Sequence, residues 1–289
     1  YHINIQPNED KSGFAVTKED YDTLRSLSCE RSIHFDFFKT RTFFTEEDVN
    51  EQLDLYEKTF GETPVCSVNH VFMWSGWVDF PRWCWKRGMK GDATRTHSFL
   101  VPDPNPINKF GLGFGTAFPH FVMDDWRYNN RFMDYVYMPV MLYEPRITSS
   151  NEADDKSQLC RIIERARENA WLLSIFLHPV YIANEPSCLK AINYIIDYIK
   201  EKNYQVVHMG TDKACLWWHD RNKSLIMPDG DGYLVNAEHE EGVIIRFPDH
   251  GQTACFIDGK NVQMERREIA GRKSILVAVP FGEHKLTIS

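Results

Sequence analysis

Short β-rich runs alternate with helical, charge-bearing segments through most of the chain, and that alternation predicts parallel strands joined by crossover helices, in a barrel or a doubly wound sheet. The strand runs cover residues 1–7, 31–37, 64–72, 89–92, 135–142, 171–178 and 204–209. A helix is predicted over 17–28, where Thr17-Lys-Glu-Asp sets an N-cap three residues ahead of an acid. A second, over 45–60, repeats the device with Thr45-Glu-Glu-Asp and stops at Gly61. Further helices are expected over 157–169 and 186–202, the latter carrying Leu189, Ile192, Ile195, Ile196 and Ile199 at helical spacing. After Trp218 the pattern shifts to short apolar runs separated by turn residues, so a small all-β domain is expected over 222–289 behind an α/β domain over 1–221.

The chain has 289 residues, 43% of them hydrophobic and 26% charged, enough for a full core in one large domain with a satellite. Its formal net charge of -8, with no long basic run, argues against a nucleic-acid partner. The longest apolar stretch, 171–183, is too short for a membrane span and contains His178 and Pro179. Seven cysteines with no Cys-x-x-Cys pair suggest core thiols rather than a disulfide framework or a zinc knuckle. The chain opens at Tyr1 with no leader-like segment, so it is expected to have lost its natural start, and its compartment is not readable. Residues 98–130 are rich in Pro, Gly, Asn and aromatics, the composition of either a long binding-face loop or a packed insertion.

Polar residues that end apolar strand runs are the first candidates for chemistry, because strand ends converge on one rim of a parallel barrel. His34 and Asp36 stand two apart, which puts both on one face of a strand, where an imidazole and a carboxylate can bind a divalent metal or orient one another. A hydrogen-bonded histidine inside the barrel is the alternative. Asp92 ends the run at 89–92, and His178 ends Leu-Leu-Ser-Ile-Phe-Leu-His as a single ionisable group suited to general acid catalysis, or simply to capping the strand exit. Asn69-His70-Val-Phe-Met-Trp74-Ser-Gly-Trp77 sets a polar pair beside two indoles, a combination suited to a sugar-binding wall or to a packed loop layer. Asp124 and Asp125 follow the Gly-rich run 110–115 and are candidate ligands for sugar hydroxyls or metal, or members of a solvated turn. Asp92 with Asp124 would also be a carboxylate pair for glycoside hydrolysis.

The stretch Ser174-Ile-Phe-Leu-His-Pro, followed by an apolar-striped helix and Asn203-Tyr-Gln-Val-Val, resembles the last barrel unit of the polysaccharide deacetylase superfamily (NodB homology, carbohydrate esterase family 4). Glu30-Arg-Ser-Ile-His-Phe-Asp-Phe-Phe resembles the strand that carries that family's metal-binding His-x-x-x-His, and the order of units agrees over roughly residues 1–220. Asn69 to Trp77 resembles a signature of one bacterial branch of the superfamily. The resemblance implies a distorted (β/α)7-type, NodB-like barrel lacking its first unit and acting as a metal-dependent carbohydrate deacetylase. Its partner would be an acetylated oligo- or polysaccharide, and its cofactor a divalent metal, zinc in expectation. In this frame His34 is a metal ligand with Asp36 beside it, His178 the general acid, Asp92 its supporting carboxylate, and His70, Trp74, Trp77, Asp124 and Asp125 the substrate contacts. The departures are Phe38 where a second metal histidine would stand, Val68-Asn-His-Val in place of Arg-x-Pro-Tyr, and a first Asp-Asp motif expected upstream of Tyr1. They leave a second expectation, a glycan-binding or scaffold protein on a barrel that has lost its metal site.

Overall fold

A computed structural model of the chain describes residues 2–5, 16–37, 43–95, 116–269 and 271–289. Phe38 and the Gly-rich run 110–115 lie outside the described residues. The chain forms two compact units, residues 1–164 with 172–215, and residues 165–171 with 216–289. The sequence boundary expected at 221/222 falls inside a helix, Thr211–Lys223.

In chain order the first unit begins with β1 (His2–Asn4), α1 (Lys18–Ser26), β2 (Ser32–Phe35), α2 (Glu46–Phe60), β3 (Cys66–Asn69) and α3 (Asp79–Lys86). It continues with β4 (Gly91–Asp92), β5 (His120–Met123), β6 (Phe132–Tyr137), β7 (Leu142–Tyr143) and α4 (Glu152–Asn169). β8 (Ile175–Phe176), α5 (Pro179–Asn184), α6 (Pro186–Glu201) and α7 (Thr211–Lys223) follow, with the C-terminal parts of α4 and α7 belonging to the second unit. The capping residues read from sequence do their work locally. The Thr17 and Thr45 backbone N–H groups donate to Asp20 and Asp48 at 2.9 and 2.7 Å, and Gly61 closes α2 in the left-handed region at φ 80°.

Strands β1, β2, β3, β4 and β6 run parallel in that order, with β5 antiparallel at the edge, while β7 and β8 pair with each other. Each of the first four strands lies beside its predecessor, so the sheet is singly wound. One face is apolar: Ile3, Ile33 and Phe35 pack into a core with Tyr21 of α1, Leu53 and Tyr56 of α2, and Phe80 and Cys84 of α3. Stacked Phe37 and Phe44 meet Phe80 edge-on in the same core. By alternation the opposite face of β1 and β2 carries His2, Asn4 and His34, in register as His2↔Ser32 and Asn4↔His34. Burying Ile33 and Phe35 on one side therefore fixes His34 on the other, since a one-residue slip would exchange the faces.

Two expectations change. Residues 204–209 form no strand: Val206, Val207 and Met209 are exposed, so the run buries no apolar face that would hold it in a sheet. In α6 the buried stripe is Cys188, Ala191 and Ile195, while Leu189 and Ile196 face solvent, because the helix is apolar over more of its circumference than it can bury. Among the described residues no helix is long and apolar enough to cross a membrane.

The second unit holds β9 (Leu225–Asp229), β10 (Gly232–Ala237), β11 (Val243–Pro248), β12 (Cys255–Ile257), β13 (Lys260–Asn261), β14 (Glu265–Ile269), β15 (Arg272–Val279) and β16 (Gly282–Ile288). They make an antiparallel five-stranded sheet, β13-β12-β16-β10-β9, and a three-stranded one, β11-β15-β14. Val235, Ile257 and Leu286 from the first sheet and Phe247, Ile275 and Val277 from the second share one core, the arrangement of a two-sheet sandwich.

Candidate active site

The cavity-facing side of the sheet and the loop that leaves β8 bring three histidines into one electrostatic neighbourhood. His34 projects from β2. Its register partner on β3 is Val68, so two residues on, at the strand exit, His70 falls level with Asp36. The chain turns there through two consecutive left-handed residues, Val71 at φ 47° and Phe72 at φ 57°. His34 Nε2 and His70 Nδ1 are 3.2 Å apart. Burial pushes His34 down to about 4, aided by the neighbouring charges of His70 and His178 and opposed by Asp36. Burial also lowers His70, again against Asp36. Both rings are therefore neutral near pH 7, the form that ligates a metal.

The pair can be tested for its fit to a cation. Two imidazole nitrogens each 2.0–2.1 Å from a tetrahedral zinc stand about 3.3 Å apart. The separation seen here, 3.2 Å, suits two ligands of one ion as well as it suits an N–H···N hydrogen bond. Asp36 shares the strand face of His34, and its backbone is held by Gln52, whose side chain accepts from the Asp36 N–H at 2.9 Å and donates to its carbonyl at 3.0 Å. Among the described residues no group of three or more His, Cys, Asp or Glu side chains is already gathered for a metal. The histidine pair by itself is not a metal centre.

His178 ends the β8 run and starts α5 at its N-cap, with Pro179 in the first turn. Its backbone N–H donates to Glu144 Oε1 at 2.8 Å, and its Nδ1 lies 2.6 Å from the same oxygen. With Nδ1–H given to a carboxylate, Nε2 is the nitrogen that can accept or deliver a proton. Glu144 is 5% exposed, directly follows β7 and is held at φ 48°, its backbone N–H donating to the Phe176 carbonyl at 3.0 Å. Phe176 and Tyr181 meet the His178 ring edge-on at 5.0 and 5.4 Å, limiting its rotation.

Glu144 was not among the residues read from sequence. The carboxylate expected to support His178, Asp92, is engaged elsewhere. Asp92 pairs with Ser67 and so belongs to the face of Ile33, not that of His34. It accepts from Ser67 Oγ at 2.9 Å, Thr94 N–H at 2.8 Å and Thr94 Oγ1 at 2.6 Å, and so braces the loop after β4. Burial pushes its carboxyl up to about 6 against those hydrogen bonds. The folded state thus holds a proton that the unfolded chain releases near pH 4, and ionisation between about pH 4 and 6 erodes stability. In denaturant titrations, Asp92→Asn should gain on the parent by roughly 2 to 3 kcal/mol between pH 4 and pH 7. A difference that stays flat with pH would mean that Asp92 ionises without penalty.

The expected substrate contacts are dispersed. His70 joins His34. Trp74 packs edge-on to Phe80, and the Arg95 guanidinium lies over its ring at 4.1 Å, covering one face; Trp77 is 69% exposed. Asp124 and Asp125 bind arginines. Arg82 Nε donates to Asp124 Oδ1 at 2.9 Å and Arg131 to Oδ2 at 2.9 Å, while Asp125 caps the turn at 126–128 and pairs with Arg127 at 2.8 Å. Burial raises the Asp124 carboxyl, but Arg82 outweighs it and holds the group below the usual range. With Asp124 bound to two arginines and Asp92 to two hydroxyls, neither is poised for glycoside hydrolysis. Against known proteins, the chain matches no family model and no curated protein.

Proposed function

We propose that the protein is a metal-dependent carbohydrate deacylase of the deacetylase type, removing an N- or O-acyl group from a glycan on a NodB-like, barrel-related scaffold. One observation carries this reading: a pair of neutral histidines at ligand-edge spacing in the neighbourhood of a carboxylate-oriented His178. A singly wound parallel sheet with α1 to α3 packed on one face and His34 on the other supports the scaffold. His34 and His70 would hold a divalent cation with Asp36, and the cation would supply the positive charge that polarises an acyl carbonyl. His178 would pass a proton from Nε2 to the leaving oxygen or nitrogen, while Glu144 fixes the ring's orientation and steadies the imidazolium.

After dialysis against zinc or cobalt, the protein is expected to retain near-stoichiometric metal, and His34→Ala and His70→Ala are each expected to lose it. His178→Ala should keep it. Metal absent from the parent, or retained in both ligand variants, would overturn the assignment. The lack of a gathered three-ligand group among the described residues favours a second reading, a glycan-binding protein on the same scaffold. That protein would bind oligosaccharide without metal and without turnover.

A further inference from the structure

We infer that the acyl group this site accepts is much bulkier than acetyl, an inference that rests on the hydrolase reading above. His34 and His178 both line an open pocket of about 550 Å³. An acetyl group, at three heavy atoms, would leave most of it empty. More of its lining is apolar than polar, with Ala93, Val140, Ile175, Leu177, Ile182 and Ala183 as the aliphatic part.

A sugar ring is a poor occupant of such a space, because each buried hydroxyl needs a partner. Beyond His34 and His178 the polar lining is His2, Ser174 and Thr211. His2 Nε2 and Thr211 Oγ1 are 3.3 Å apart, His2 Nδ1 is buried without a hydrogen-bond partner, and the Ser174 carbonyl accepts from the Met141 and Leu142 N–H groups. A hydrocarbon chain meets the opposite conditions, gaining from every methylene removed from water and asking for no hydrogen bonds. The exposed indoles among the described residues, Trp77, Trp126 and Trp217, are not among the pocket's lining residues. The acyl chain therefore occupies the cavity, with its carbonyl toward His34 and His178. In the reaction, water adds its oxygen to the acyl carbon and the bond from that carbon to the leaving oxygen or nitrogen breaks. The leaving atom takes a proton, and the products are a carboxylic acid and the freed sugar.

The test uses the zinc- or cobalt-loaded protein with 4-nitrophenyl acetate, butyrate and octanoate, and octanoate and acetate ions as ligands in calorimetry. Each buried methylene is worth about fourfold, so kcat/KM should rise at least about tenfold from acetate to octanoate ester. Ala183→Trp, on the short helix α5, should lower that octanoate-to-acetate ratio at least tenfold. An acetate ester cut as well as the octanoate ester would overturn the inference and leave the hydrolase reading standing. If no ester is cut, the hydrolase reading falls, and calorimetry decides the cavity by itself. Octanoate bound far more tightly than acetate, and weakened by Ala183→Trp, supports an apolar-chain pocket; equal weak heats for both ions overturn it.

Discussion

Replacing His178 with Ala lowers kcat by about 10²- to 10⁴-fold, the contribution typical of one positioned general acid, while the melting temperature stays nearly unchanged because the side chain is a third exposed. Glu144→Gln is the companion variant. The amide keeps an oxygen that can accept from the His178 backbone N–H and ring but removes the negative charge that steadies the imidazolium. We expect kcat to fall about 10- to 100-fold with KM little changed, an effect smaller than deletion of the histidine because Glu144 acts through His178. Turnover that survives His178→Ala would sink the assignment. A Glu144→Gln variant with parental kcat would reduce that carboxylate to a structural anchor of the loop.

The second large effect concerns stability. Asp124 has a fully buried side chain bound to Arg82, itself only 6% exposed, and to Arg131. Truncating one member of a buried ion pair strands the other charge, at a cost of about 3 to 5 kcal/mol. Arg82 keeps Asp79 at 2.6 Å, so the lower end applies. Asp124→Ala should lose about 3 kcal/mol, or about 6 to 12 °C in Tm for a unit of this size. Asp125→Ala, which removes a turn cap and an exposed pair, should cost about 1 kcal/mol or less. An Asp124→Ala protein that melts normally but has lost substrate affinity would return this residue to the binding site.

The positions of His34 and Asp36 on β2 and at its exit, and of His178 at the exit from β8, follow from apolar runs in the sequence, with Ile33 and Phe35 fixing the faces of β2. The face that Asp92 takes was not legible in the same way. β4 is two residues long, too short for alternation to reveal which face its last residue takes, and the pairing with Ser67 decides it. The meeting of His34 with His70 depends on the register of β2 on β3, a relation between segments 36 residues apart that no local pattern encodes. Glu144 was hidden by a two-residue strand and a following proline, although a lone acid in Leu-Tyr-Glu-Pro, after the apolar run 138–142, was the one signal available. For Asp124 and Asp125 the arginine partners were not legible, because Arg82 is distant in sequence and Arg127 and Arg131 are unremarkable turn residues. The helix α3 was missed because Trp83-Cys-Trp85 has the look of alternation, whereas Phe80 and Cys84, one turn apart, are what it buries.

The left-handed pair after β3 bears on how this protein can change over generations. A β-branched residue and an aromatic held in that region each carry strain of order 1 to 3 kcal/mol, and together they bend the chain just beyond His70. A glycine at 71 would relax the bend and raise thermal stability, but it would also widen the arc through which His70 can swing away from His34. Selection for robustness and selection for a fixed histidine edge therefore act in opposite directions on the same two positions. Lineages that keep Val71 and Phe72 would be those in which the edge is in use, and drift toward glycine there would mark a scaffold released from it.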